Sequence, residues 1–146
     1  MNPVHFSTAS AEWPTPAGYF RRLARLFNFR LDPCCTPHTA KCQSYFTAEE
    51  DGLSKDWALA DGAVFVNPPY GRGIGAWVKK GYETAQRGTP VVMLLPARTD
   101  TAWWHEYVTQ GLVKFLRGRL KFGTAANSAP FPSALVIFAP LDAAED

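Results

Sequence analysis

Apolar residues recur at helical spacing in some stretches of this chain and run unbroken in others. Tyr19, Phe20, Leu23, Leu26 and Phe27 lie at helical intervals, with Arg21, Arg22 and Arg25 between them. That pattern predicts an amphipathic helix. Thr15 followed by Pro16 reads as its N-cap and first-turn proline. Ile74, Trp77, Val78, Tyr82 and Ala85 predict a second helix, stopped by Gly88. A third is expected from about Thr101 to Thr109. Phe29–Asp32, Ala63–Val66, Val91–Leu95, Leu112–Leu116, Arg119–Phe122 and Ala134–Ala139 read as strands. The all-apolar run 91–95 is of the buried kind found in parallel sheets. Residues 33–60 are polar and turn-rich, with at most one short helix.

From residue 63 onward strands and helices alternate, which predicts an open α/β sheet, mostly parallel, with flanking helices. Such sheets bind ligands beyond the carboxyl ends of their strands. The segments to interrogate are therefore Asp32-Pro33-Cys34-Cys35, Asn67-Pro68-Pro69-Tyr70-Gly71 and Pro96-Ala97-Arg98-Thr99-Asp100. No internal repeat or low-complexity linker interrupts the chain. We expect a loose tail at 1–12, one domain over 13–140 and a second tail at 141–146.

Composition adds limits. A length of 146 residues with 47% hydrophobic and 14% aromatic side chains suits one globular domain and excludes long disorder. No run of 18 apolar residues is present, so no membrane span is expected, and no signal peptide is visible. Three cysteines, two adjacent (Cys34, Cys35 and Cys42), make a poor disulfide framework and fit a reducing, cytoplasmic setting. Adjacent Cys34 and Cys35 cannot easily both ligate one tetrahedral ion with His38 and Cys42, so no metal is expected. His5, His38 and His105 have no partnered arrangement. Charge is uneven. Residues 1–71 carry 6 basic and 7 acidic side chains, residues 72–121 carry 9 and 3 (net +6), and residues 122–146 carry 0 and 3. The middle of the chain is either a solvated basic face or a phosphate-facing one.

Asn67-Pro68-Pro69-Tyr70 is the strongest local signal. Two prolines fix φ and supply no N–H, while their carbonyls remain able to accept. The residue before a proline is pushed out of the helical region. The segment is thus a stiff ledge at a strand end that presents an amide, a carbonyl and an aromatic ring. That set suits a planar, amino-bearing ligand. The competing reading is a Pro-rich turn with a packed tyrosine.

This motif resembles the catalytic motif of amino-group methyltransferases that use S-adenosylmethionine. The wider chain, from about Glu12 to Pro140, resembles the small Dam-like N6-adenine methyltransferases of phages and prophages. The matching segments are EWPTP (12–16), LDPCCTPHTAKCQSYFT (31–47), DGLSKDW (51–57), VFVNPPYGRGIGAWV (64–78), MLLPARTDTAWWH (93–105), FLRGRLKFG (115–123) and APFPSALVIF (129–138). The resemblance implies a reduced Rossmann-like methyltransferase fold, S-adenosylmethionine as cofactor, DNA as partner and a bacterial cytoplasm as setting. It implies catalysis by Asn67, Pro68, Pro69 and Tyr70. It gives the cofactor Thr15, Pro16, Asp32, Pro33, Cys34, Asp51 and Asn67, with Glu49 or Glu50 as alternatives for the ribose. It sets Phe131 against an extruded base, with Tyr70 on the base face. Apart from the resemblance, Arg117, Arg119 and Lys121 alternate along an expected strand and so point to one face, which either tracks DNA phosphates or is a basic exposed face. Arg98 and Asp100, following a strand end, either pair with one another or line the DNA-facing rim.

The chain departs from a full methyltransferase where the loop after the first strand reads Pro33-Cys34-Cys35-Thr36-Pro37 instead of Gly-x-Gly. Only 34 residues separate Asp32 from Asn67, too few for two complete strand–helix repeats. Adenine N6 methylation of DNA is the function expected. Cytosine N4 methylation, protein glutamine methylation and a catalytically degenerate DNA-binding module stay open as alternatives.

Overall fold

The apolar runs become the middle of a sheet. In a computed structural model of the chain, residues 13–122 and 128–140 are described. The tails expected at 1–12 and 141–146, and His5 with them, lie outside the described residues. Among those residues six strands form one open sheet: β1 (Phe29–Asp32), β2 (Ser44–Tyr45), β3 (Ala63–Val66), β4 (Val91–Pro96), β5 (Leu112–Phe115) and β6 (Ser133–Phe138). Their order is β2-β1-β3-β4-β6-β5. The β1–β2, β1–β3 and β3–β4 pairs are parallel. β6 is antiparallel to both β4 and β5. The helices are α1 (Ala17–Ala24), α2 (Ile74–Gln86) and α3 (Ala102–Glu106). The expected α/β class and reduced Rossmann-like layout hold, with an antiparallel end added.

All residues of β3 and β4 are buried, as a strand flanked by two others requires. Aromatic contacts dock α1: Phe20 lies 5.4 Å from Phe29 and 5.0 Å from Phe65, centroid to centroid. No helix among the described residues is long and apolar enough to cross a membrane.

Several expectations are corrected. Thr15 is not the N-cap of α1. Extended Pro16 holds that position and makes no side-chain cap bond, because the Thr15 hydroxyl is already engaged by Asn67. α1 stops at Ala24, and Leu26 beyond it is 77% exposed. The third helix is shorter than expected. Thr101 caps it by accepting from the Trp104 N–H, but the backbone of Tyr107 breaks it and Val108–Gln110 continues as a 3-10 turn. The strand expected over Arg119–Phe122 does not form. Leu116 donates to the Ser133 carbonyl, and Ser133 is the first residue of β6. The chain then runs past the end of its partner strand, and Gly118, with φ +72°, turns it away. Arg117, Arg119 and Lys121 are therefore exposed on a loop instead of sharing a strand face. β2 was not expected; two residues of mixed polarity carry no period-2 signal.

Candidate active site

The carboxyl ends of β1 and β3 are adjacent, and β1 lies between β2 and β3. The chain thus leaves β1 toward one side of the sheet and returns on the other. A crevice is expected at such a reversal. There lies a cavity of about 440 Å³, lined by Pro33–Thr36 after β1, Thr47, Ala48, Asp51 and Gly52 after β2, and Asn67–Pro69 after β3. Trp13, Pro14, Thr39 and Trp77 complete the wall. The volume falls in the range of small-molecule sites.

The loop after β1 lacks the usual glycines, and other groups hold it. Asp32 is 3% exposed. Its Oδ1 accepts from the Cys34 N–H at 3.2 Å and its Oδ2 from the Lys41 N–H at 3.0 Å. Thr36 and Thr39 exchange backbone-to-hydroxyl bonds across the turn. The close approach that a loop glycine would allow is supplied from the other side. A Cβ on Gly52 would lie 1.8 Å from the Pro33 carbonyl oxygen, so only glycine fits. Trp57, fully buried, donates its indole N–H to the Gly52 carbonyl at 2.8 Å and stacks on Trp77 at 5.8 Å. One side of the cavity is thereby tied to α2. Asp51 sits at the rim in the left-handed region, φ +55°, with its side chain exposed. It is the one non-glycine residue with positive φ among those described, a conformation that Asp tolerates better than most. Glu50 accepts from the Thr47 N–H and hydroxyl, and Glu49 is exposed. Neither lines the cavity.

Asn67 ends β3. Its Nδ2 donates to the Trp13 carbonyl and, at 3.0 Å, to the Thr15 hydroxyl. Its Oδ1 is buried and has no hydrogen-bond partner among the described residues. Two other buried oxygens, the Thr84 and Ser133 hydroxyls, share that state, but neither lines the cavity. No hydrogen bond among the described residues uses the Pro68 carbonyl. Two consecutive residues of the ledge thus each carry an acceptor left unused among the described residues, and an amino group has two hydrogens to offer.

Tyr70 is 9% exposed, and its hydroxyl donates to the Leu94 carbonyl at 3.3 Å. Its ring meets Phe131 edge-on at 5.3 Å. Trp13 meets Phe131 at 5.2 Å and Phe122 at 5.6 Å in the same manner. Tyr70 and Phe131 therefore pack in one aromatic cluster and are not among the residues lining the cavity. Burial pushes the Tyr70 hydroxyl further above its ordinary range.

Burial also raises the Asp32 carboxyl to about 6, against the opposing pull of the Lys41 and Cys34 N–H groups. Burial first, then the Asp32 charge, pushes Cys35 and Cys42 up to about 12. Both thiols stay protonated at neutral pH and are not nucleophiles. No group of three His, Cys, Asp or Glu among the described residues is placed to hold a metal ion.

Of the residues expected at the site, Pro33, Cys34, Asp51, Asn67, Pro68 and Pro69 line one cavity. Asp32, Thr15 and Pro16 stand behind its wall in sequence but are not among its lining. Arg98 is exposed after β4 and forms no ion pair with Asp100 among the described residues. Trp13, Thr47 and Trp77 were not expected. Trp77 reads in sequence only as part of an apolar helix face, because its role depends on where α2 lies.

A family model described as DNA N-6-adenine-methyltransferase (Dam) matches residues 6–144. The DNA N-6-adenine-methyltransferase of Haemophilus phage HP1 is 27% identical over 139 residues, 88% of this chain and 78% of that protein. The DNA N-6-adenine-methyltransferase of Escherichia phage T1 is 32% identical over 95 residues, 64% of this chain and 39% of that protein.

Proposed function

This chain belongs to the DNA N-6-adenine-methyltransferase (Dam) family, and from that premise we propose that its ledge directs a methyl group from S-adenosylmethionine to the N6 amino group of adenine in DNA. The observation that carries the reading is the buried, unpartnered Oδ1 of Asn67 beside the unused Pro68 carbonyl. A buried acceptor without a donor costs free energy unless a ligand supplies one. The N6 amino group supplies two hydrogens, one for each oxygen.

Adenine N6 is a weak nucleophile because its lone pair is delocalised into the ring. Hydrogen bonds to Asn67 Oδ1 and Pro68 O favour a tetrahedral nitrogen, whose lone pair then points away from both oxygens. The prolines hold the two acceptors in fixed relation, so little ordering is left to do at the moment of reaction. Held in the cavity, S-adenosylmethionine would supply a methyl group already activated on a sulfonium. Transfer would make one N–C bond for the S–C bond broken, leaving a neutral sulfide, and the N6 proton would go to water. Pro33–Thr36, the exposed carboxylate of Asp51 and the Trp77 ring are the groups that would hold the cofactor. An acid at a polar rim and an aromatic wall suit its cationic, hydroxyl-bearing and planar parts. Tyr70 anchors the ledge through its bond to the Leu94 carbonyl. In duplex DNA the base must leave the stack to reach the site. The setting that goes with a DNA substrate of a phage-type methyltransferase is the bacterial cytoplasm.

Incubation with methyl-labelled cofactor and unmethylated DNA, followed by digestion to nucleosides, tests the reading. We expect label in N6-methyladenine, reduced roughly 100-fold or more in Asn67→Ala, as for removal of other oriented polar groups. Label in N4-methylcytosine, or label in adenine that survives Asn67→Ala, sinks it.

A further inference from the structure

The amide of Asn67 has two chemically different ends, and its value as an acceptor depends on which end is left without a partner. Both N–H groups of its Nδ2 are spent. One goes to the Trp13 carbonyl and the other to the Thr15 hydroxyl at 3.0 Å. A carbonyl oxygen can only accept. Rotating the amide by half a turn would set Oδ1 against the Trp13 oxygen and bring two lone pairs together. Nδ2 and Oδ1 share one planar carbon, so holding the first aims the second. The two acceptors are themselves held. Thr15 is 4% exposed, and the Trp13 ring is wedged edge-on against Phe122 and Phe131. Neither partner lies on the ledge; Thr15 is 52 residues away along the chain.

We infer that Thr15 is a positioning residue for methyl transfer: its hydroxyl, with the Trp13 carbonyl, locks the Asn67 amide so that only Oδ1 is offered to the substrate amino group. This rests on the role proposed above for Asn67. It differs from the role implied by family resemblance, a contact with the cofactor, because Thr15 is not among the residues lining the cavity and its hydroxyl is taken by Asn67. Without Thr15, one N–H of the amide loses its partner and the side chain gains rotational freedom. A misaimed acceptor costs rate but not cofactor affinity.

Two substitutions separate these roles. Thr15→Val keeps the shape and removes the hydroxyl; Thr15→Ser keeps the hydroxyl and removes the methyl. Three quantities are read: kcat for adenine methylation, the Kd for S-adenosylmethionine by calorimetry, and the solvent-exchange rate of the Asn67 side-chain NH2 by ¹⁵N NMR, assigned by its loss in Asn67→Ala. Thr15→Val is expected to lower kcat roughly 10- to 100-fold, leave the cofactor Kd within about twofold, and speed exchange of the Asn67 amide. Thr15→Ser restores both kcat and slow exchange. If Thr15→Val does not fold, Thr15→Cys, whose thiol is a weak acceptor, takes its place with the same expected ordering. The inference is overturned if the valine variant keeps wild-type kcat and exchange. It is overturned equally if that variant weakens the cofactor while kcat holds, or if the serine variant is as slow as the valine one. Wild-type protein that makes no N6-methyladenine would defeat the proposed function instead, and the exchange rates would still decide whether Thr15 holds the amide.

Discussion

Asp32 shows how the partners a residue has in the fold can differ from the one its place in the sequence suggests. An acid closing the first strand suggests a ligand for a cationic cofactor. In the folded chain its two oxygens are occupied by the Cys34 and Lys41 N–H groups, so its direct work is to shape the loop that walls the cavity. That work has a cost. Burial raises its carboxyl from 3.8 to about 6, so the folded chain holds the proton more tightly than the unfolded one. The stability contributed by this group is fully present below about pH 3.8 and is lost as pH rises through about 6. The displacement corresponds to on the order of 3 kcal/mol. Urea unfolding of the wild type and Asp32→Asn from about pH 4 to about pH 8 checks it. The wild type should lose ground to the variant between pH 4 and 6 and run parallel to it above about 7. A difference that is flat across the range, or that grows in favour of the wild type, contradicts a buried carboxylate. Asn67 shows the complementary limit. Its place at a strand end, ahead of two prolines, was legible from sequence. The direction of its amide was not, because Thr15 and Trp13 come from the far end of the chain and no local spacing encodes that contact.

Elements with a strong period were legible, and those built from exceptions were not. β3 was located to the residue, and α2 and β4 to within one, because their apolar patterns are long and uninterrupted. The span between β1 and β3 was legible only as too short for two strand–helix repeats. It holds a two-residue strand and the 3-10 turn Gly52–Ser54. What joins that turn to the β1 loop is contact between distant backbones at Gly52, and a glycine in a polar stretch reads as an ordinary turn. The contact yields a sharp prediction. Gly52→Ala sets a methyl group 1.8 Å from a carbonyl oxygen, and neither side is a flexible side chain that could move aside. Destabilisation of about 1–3 kcal/mol is expected from the forced displacement. Cofactor affinity should fall by about tenfold as the Pro33–Thr36 wall shifts, each tenfold being about 1.4 kcal/mol of binding. Gly73→Ala, where an added Cβ meets nothing within 4 Å, should stay within about 0.5 kcal/mol of the wild type. Thermal melts and calorimetric titration with S-adenosylmethionine read both effects, and equal behaviour of the two variants would remove the close approach from the account.

At the scale of the whole molecule, charge and chemistry divide the chain. The stretch up to Gly71 carries most of the cavity wall and is near neutral, with 6 basic and 7 acidic residues. Residues 72–121 carry 9 basic and 3 acidic. The loop that follows β5 gathers three of those cations, Arg117, Arg119 and Lys121, all exposed. Their loop conformation changes what they can do. Cations alternating along a strand would present a fixed row, whereas on a loop turned by Gly118 each would reach a phosphate of its own and none would read sequence by register. Such contacts position the nucleic acid without specifying it. They also release counterions, so affinity should fall with salt by a slope of about 0.9 per neutralised phosphate on duplex and about 0.7 on single strands. Replacing all three by alanine is therefore expected to lower the slope of log K against log salt by about 2.7 on duplex DNA and about 2.1 on single strands. The matched control is Arg21→Ala, Arg22→Ala and Arg25→Ala together, which removes the same charge from α1 and its end. If the cations act by local contact, the control leaves the slope within about 0.5 of the wild type. If both triple variants lower the slope equally, net charge alone is responsible, and the loop after β5 is a solvated basic face and no DNA contact.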